Sequence, residues 1–500
     1  MAEMEYTPSQ QAVINERKKN ILVSAAAGSG KTAVLSERVV KKITDKATPI
    51  DVDRILVLTF TRQAAHEMKE RIYQRLSELY ARDPFNNNLR RQMLLLDNAK
   101  ITTIDSFCAY IFKNYFQDAG VDPSLRIAEE AELAVIEEDV MRDFLDEKYE
   151  EGSGDFQKLL EYFSGDVKSK GVSLAIKQIL APASSAAWPK EYLKSLLIPY
   201  SFENVEELIN SPDMAFLINY TRAILDGVVR AYDELIRSYP EEDSYNSFFR
   251  EEQQCVCEIA GEKDYRAIRQ GFISYNESRF TLPRKGHDKR EYDDEVKEKR
   301  KALKKELTKL QNDYFGKSAE EIFEELKKAG EFARILIELS AEFHERFLFE
   351  KRKKGVMDFS DCEHIALSIL IDEKTKEKRD AAIELSNYFE EIMVDEYQDS
   401  NSLQETILKS LVTEDELHGN YFMVGDMKQS IYSFRHADPT IFEKKYESFS
   451  EDGKRDRLIL LDKNFRSRSA VISSVNSIFQ TAMKKDVGGI EYDERESLKF

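Results

Sequence analysis

Residues 25–32 read Ala25-Ala26-Ala27-Gly28-Ser29-Gly30-Lys31-Thr32 and directly follow the apolar run Ile21-Leu22-Val23. Small residues at this spacing let backbone N–H groups turn inward around phosphate oxygens. Lys31 adds a point charge, and the Thr32 hydroxyl is placed for Mg²⁺. A helix starting near Lys31 would aim its positive end at the same anion. The chemistry is therefore capture of a nucleoside triphosphate. Ala25 stands where the pattern usually has its first glycine, which keeps the close approach and gives up some backbone freedom. The loop alone does not choose the machine, because transporters, kinases, GTPases and helicases share it.

A bound triphosphate needs carboxylates from a second strand. Asp395-Glu396 ends the apolar run Ile392-Met393-Val394. Asp395 would hold Mg²⁺, directly or through water, and Glu396 would polarise the attacking water as general base. The C-terminal end of a strand suits both roles, since open α/β sheets bind ligands along that edge. A solvated acidic turn is the competing reading, because the chain has 93 Asp and Glu and acidic pairs abound.

The elements that must position these groups are legible as alternating patterns. Apolar runs at 21–24, 55–59 and 101–103 read as strands, with helical patterns over 32–43 and 64–79. Strand signals return at 391–394, 421–424 and 458–461. Alternation of this kind predicts an α/β fold with a parallel sheet. Between these regions, residues 126–345 are acidic and helix-biased and read as a large insertion. Within it, 284–309 holds eleven Lys or Arg against seven Asp or Glu. It reads either as a solvated, internally paired helix or as an arm for a nucleic-acid backbone.

Five hundred residues suggest about three domains. The net charge of −19 removes any global basic footprint for nucleic acid, though a local positive channel can sit on an acidic body. No apolar run approaches bilayer length, so no membrane association is expected. The start, Met1-Ala2-Glu3-Met4-Glu5, lacks a signal-peptide pattern, and a cytoplasmic location is the expectation. Cys108, Cys255, Cys257 and Cys362 form no Cys-x-x-Cys pair, so thiols are expected rather than disulfides or a zinc site. The last strand signal lies only about forty residues before Phe500, too few for another α/β domain, and the chain is expected to stop inside a longer protein.

The ordered blocks around these groups resemble superfamily 1 helicases of the UvrD/Rep type. Val394-Asp395-Glu396-Tyr397-Gln398-Asp399 and Val424-Gly425-Asp426-Met427-Lys428-Gln429 resemble that family's Walker B and third motifs. Thr7-Pro8-Ser9-Gln10 resembles its adenine-sensing motif. Thr59-Phe60-Thr61-Arg62 and Thr103-Ile104-Asp105-Ser106 resemble its DNA-contacting motifs, with Asp105 where many relatives have His. Met357-Asp358-Phe359-Ser360-Asp361 resembles the block that returns the chain to the core. Asp462-Lys463-Asn464-Phe465-Arg466 resembles the fourth motif, at the entrance to a second motor domain. Within the family, the loop, residues 355–367 and residues 489–494 are most similar to the AddA-type subunits of helicase–nucleases.

The resemblance implies a RecA-like motor domain from 1–125 and 346–455, split by the helical insertion 126–345. Residues 456–500 would begin a second RecA-like domain, and 1–470 together would form the ATP-binding region. It implies ATP and Mg²⁺ as cofactors. Lys31, Glu396, Gln429 and Arg466 would be catalytic. Gln10, Ala25–Thr32, Arg435 and Phe465 would contact nucleotide, and Thr32 and Asp395 the metal. Phe60, Thr61, Arg62, Ser106, Tyr432 and Phe434 would contact DNA, although lone Phe residues are more often core. The implied activity is 3′-to-5′ translocation on single-stranded DNA, in a complex with an AddB-like subunit that processes double-strand breaks for homologous recombination. The alternatives are a standalone repair helicase and a non-catalytic recombination subunit. The nuclease domain and the remaining helicase motifs would lie beyond Phe500.

Overall fold

The computed structural model describes residues 5–163, 170–413, 415, 417–484 and 491–500. Gly489 and Ile490, the start of the late block, lie outside the described residues. Eight strands are present among the described residues: β1 Asn20–Ala25, β2 Ile55–Thr59, β3 Ile101–Thr103, β4 Arg126–Ile127, β5 Val356–Met357, β6 Glu391–Val394, β7 Tyr421–Gly425 and β8 Asp456–Leu461. Six form one parallel sheet in the order β3-β2-β6-β7-β1-β8, and β4 pairs with β5. Every residue of β1, β2, β6 and β7 is buried. That burial explains why these strands read as unbroken apolar runs rather than alternating ones.

The strand order decides where the chemistry gathers. All six strands point the same way, so their C-terminal ends share one edge. β6, β7 and β1 are consecutive there. They deliver Asp395-Glu396, Asp426 and the 25–32 loop side by side. β2 and β3, on the far side of β6, deliver Phe60–Arg62 and Ser106 to the neighbouring stretch of the same edge.

One expectation is overturned. The strand signal at 458–461 predicts the opening of a second motor domain. The strand is instead an edge of this sheet, with β8 paired to β1 from Asn20↔Asp456 to Ala25↔Leu461. The apolar run signals a strand, but its partner is 436 positions away in sequence, and nothing local names it.

The chain divides into two units. The sheet unit comprises Met1–Gly152, Lys168–Tyr192 and Leu339–Phe500, so both flanks of the expected insertion belong to it. The second unit, Ser153–Val167 and Leu193–Glu338, has helices around a core that includes Leu225, Tyr232, Phe249, Phe272 and Phe315. The basic segment lies in that unit, mostly on the helix Asp293–Leu310. Lys297, Lys299 and Lys301 pair with Asp294, Glu295 and Glu298, and Arg290 with Asp243. Arg300 meets buried Glu252 at 2.5 Å. Five of its eleven cations are thus engaged by carboxylates of their own unit.

A buried ionic cluster ties the loop helix Lys31–Ile43 to the sheet. Arg38, 1 % exposed, donates to Glu391 at 2.6 and 3.0 Å and to the Val13 carbonyl. Lys42 reaches the other Glu391 oxygen at 2.7 Å. Burial lowers the Lys42 amine to about 8, against the pull of Glu391. One carboxylate thus links the helix behind the phosphate loop to the strand that carries Asp395 and Glu396. Glu391→Gln would leave two buried cations without a full counter-charge. The expected cost is about 3–5 kcal/mol, read from the shift in the denaturant midpoint. An unmoved midpoint would mean that the cluster contributes nothing.

Candidate active site

The loop conformation follows from its residues. Ala25 is the last residue of β1, fully buried and in register with Leu461, so this position needs β geometry and no glycine freedom. Gly28 and Gly30 both have left-handed φ, +74° and +84°, which L side chains adopt at a cost. A Cβ on Gly28 would also come within 2.9 Å of Arg466 Cβ and Asn464 Nδ2. Gly30 leads into the helix Lys31–Ile43, whose first-turn N–H groups face the loop. Ser29 Oγ is buried without a hydrogen-bond partner.

Lys31 crosses to β6. Its Nζ donates to Glu396 Oε1 at 2.9 Å and Oε2 at 2.7 Å. Glu396 itself has φ +52° and ψ +45°. For a non-glycine residue this conformation is uncommon and costly. Burial raises the Asp395 carboxyl to about 6; the Glu396 charge adds to this and Lys31 opposes it. Asp399 is also raised to about 6, first by burial and then by Glu396. Three carboxyl groups thus crowd one amine. That excess negative charge, beside a left-handed glycine cradle and the Thr32 hydroxyl, fits a divalent cation carried in with phosphates. Asp395 and Thr32 are the groups that would hold Mg²⁺.

Several residues outside the sequence-based set hold this site together. Gln398, 1 % exposed, donates to Glu396 Oε2 at 2.9 Å and accepts from Asp426 N–H at 3.0 Å. It bridges the ends of β6 and β7. A Cβ on Gly425 would lie 2.2 Å from Gln398 Oε1, so that glycine leaves the bridge its room. Asp426 accepts from Gln429 Nε2 at 2.7 Å and pairs with Lys428 at 3.1 Å. Asn464 donates to the Ala27 carbonyl at 2.7 Å, and Phe465 N–H donates to the Gly28 carbonyl at 2.9 Å. These two contacts fasten the fourth-motif segment to the backbone of the phosphate loop.

The other sequence-based residues fall into two groups. In the first, near the loop, Gln10 donates to the Ser29 carbonyl at 3.0 Å, and its oxygen accepts from Thr7 N–H at 3.0 Å. Its amide therefore clamps the loop and caps its own helix. The Phe465 ring is 61 % exposed, and Arg466 is exposed beside it. In the second group, Phe60 and Tyr432 lie 4.6 Å apart between ring centroids, and Tyr432 and Phe434 5.7 Å. Arg435, expected to contact nucleotide, sits 5.5–5.9 Å from all three rings. Thr61 caps the helix Arg62–Arg82 by accepting from Ala64 N–H. The Ser106 hydroxyl is 2.9 Å from that of Thr103. Arg62 is exposed at the start of its helix.

A phosphate loop on β1 facing an acid pair on β6, in a parallel sheet, defines a P-loop nucleotide-binding protein. Residues 6–450 match the model of the UvrD/REP helicase N-terminal domain, and the chain belongs to this family. It is similar to the A subunit of the ATP-dependent helicase/nuclease of Lachnoclostridium phytofermentans, at 39 % identity over 100 % of this chain and 37 % of the relative. The proteins of the same name from Clostridium perfringens strain SM101 and Bacillus licheniformis are each 37 % identical over 99 % of this chain, covering 40 % and 41 % of those relatives. The chain thus spans about two fifths of the length of these relatives. The AddA-type resemblance read from the motifs agrees with them. Among the described residues, no helix is long and apolar enough to cross a membrane.

Proposed function

We propose that this chain is the nucleotide-hydrolysing motor part of an ATP-dependent DNA helicase, working with Mg²⁺ and moving 3′ to 5′ on single-stranded DNA. The observation that carries the reading is the pairing of Lys31 Nζ with both Glu396 oxygens, which joins the phosphate loop to the acid pair. Lys31 would exchange Glu396 for phosphate oxygens when nucleotide enters. Glu396, released, would orient the attacking water and take its proton. Mg²⁺, held by Thr32 and Asp395, would neutralise phosphate charge when bound. Gln429 would sense the γ-phosphate through its link to Asp426, and Arg466 would add positive charge over the loop. Phe465 would stack on the adenine, beside the Gln10 clamp.

The face formed by Phe60, Tyr432 and Phe434 is the proposed DNA contact, assisted by Thr61, Arg62 and Ser106. Arg435, which lies beside these rings, would contact the nucleotide, as the motif resemblance implies. Stacking on rings tolerates every base, which a translocating motor requires. The wider assembly would pair this chain with an AddB-like partner, act at duplex ends in the cytoplasm, and prepare double-strand breaks for homologous recombination. Its exonuclease activity would reside outside this chain.

Phe434→Ala tests the nucleic-acid half of the proposal. The expected loss is about 1–3 kcal/mol in single-stranded DNA affinity, with a matching loss of DNA-stimulated phosphate release. Unchanged affinity would remove the ring cluster from the DNA path.

A further inference from the structure

Residues 491–494 of the late block open a segment that is fastened to the sheet unit at three points. Buried Tyr492 donates its hydroxyl to Asn476 Oδ1 at 2.7 Å, and Leu498 N–H donates to the same oxygen at 3.1 Å. Asn476 lies on the helix Ser469–Ala482. Lys499 N–H donates to the Asp462 carbonyl at 2.9 Å, and the Lys499 carbonyl accepts from Asn464 N–H at 2.7 Å. Asn464 is the residue that holds the Ala27 carbonyl of the phosphate loop. Glu496 makes the third attachment. Its Oε1 accepts from the Tyr446 hydroxyl at 2.5 Å, and its Oε2 accepts from Lys428 Nζ.

Lys428 stands directly before Gln429. Its amine lies between Glu496 and Asp426 Oδ1, while Asp426 Oδ2 accepts from Gln429 Nε2 at 2.7 Å. The Lys428 and Asp426 side chains are 8 % and 3 % exposed, so water does little to screen these charges. Burial lowers the Lys428 amine, but the charges of Asp426 and Glu496 outweigh burial and hold it above its ordinary value. One cation shared by two carboxylates leaves Asp426 with unbalanced negative charge, which strengthens the hydrogen bond it accepts from Gln429. Without Glu496, Lys428 would turn wholly to Asp426 and weaken the acceptor that aims the Gln429 amide.

We propose that Glu496 is a positioning residue for Gln429, and that the segment carrying it ties the third-motif and fourth-motif segments together. The proposal rests on Gln429 sensing the γ-phosphate. Glu496 acts through Lys428 and Asp426 rather than on the nucleotide. A sensor held out of line slows the chemical step, so the effect falls on kcat and spares ATP binding.

The test measures single-stranded-DNA-stimulated phosphate release by the full-length protein over a range of ATP concentrations. It compares the wild type, Glu496→Gln, Gln429→Ala and the double variant. Glu496→Gln keeps an acceptor for Tyr446 and removes the charge. Its kcat is expected to fall about 3–10-fold, with KM for ATP moved by less than about twofold. In the Gln429→Ala background the same substitution is expected to change kcat by less than about twofold, because the residue it positions is gone.

Wild-type kcat in Glu496→Gln, a KM that shifts as far as kcat, or losses that multiply in the double variant would each overturn the proposal. Gln429→Ala turning over at the wild-type rate would sink the sensor reading itself, and the proposal with it. If Glu496→Gln does not fold, Tyr446→Phe replaces it, keeping the ring beside Phe442 and removing the donor to Glu496. That variant is expected to lose about 2–3-fold in kcat alone, and an unchanged kcat would overturn the proposal.

Discussion

Lys31→Ala is expected to lower DNA-stimulated ATP hydrolysis by about 10³-fold or more, since a charge aimed at the reacting phosphates acts where water is largely excluded. Two effects add. Lys31 is the cation that reaches from the loop to Glu396, at 2.7 Å. It also counters the burial and the Glu396 repulsion that raise Asp395 to about 6. Without the amine, Asp395 is pushed further up and becomes a poorer Mg²⁺ ligand near neutral pH. The variant should therefore lose nucleotide affinity as well as turnover. Phosphate release at the wild-type rate would remove the loop from the chemistry.

Glu396→Gln separates binding from the chemical step. Glutamine keeps an oxygen and the hydrogen-bonding reach to Gln398 but cannot take a proton. Turnover is expected to fall about 10²–10⁴-fold, while ATP binding persists, because Lys31 is freed for phosphate and the Asp395 carboxyl loses a repelling neighbour. Single-turnover phosphate release, set beside an equilibrium nucleotide titration, distinguishes the two quantities. Loss of binding with an unchanged chemical step would make Glu396 a ligand holder rather than the base.

The parts of this molecule legible in the sequence are those whose chemistry is local. Ile21-Leu22-Val23 before a small-residue loop, and Ile392-Met393-Val394 before two acids, each combine a strand buried on both faces with a loop at its end. Both strands are present where the apolar runs predict them. The six-stranded order is not legible, because hydrogen-bonding partners such as Ala25 and Leu461 are chosen by the whole sheet.

Residues that act across elements stay hidden for the same reason. Gln398 matters because its two ends reach Glu396 and Asp426. Asn464 matters because it holds a carbonyl 437 positions earlier. Arg38, Lys42 and Glu391 look like ordinary surface charges until the fold buries them together. Motif order puts Arg435 near the nucleotide, yet spacing fixes a residue's loop and not the direction of its side chain. Its guanidinium lies beside the rings of Phe60, Tyr432 and Phe434.

The most direct measurement is a crystal structure of the protein with Mg²⁺ and a non-hydrolysable ATP analogue. Lys31 Nζ should have left Glu396 for the phosphate oxygens, with the metal between Thr32 and Asp395 and the adenine against Phe465. Nucleotide bound elsewhere, with Lys31 still paired to Glu396, would contradict the motor reading at its root.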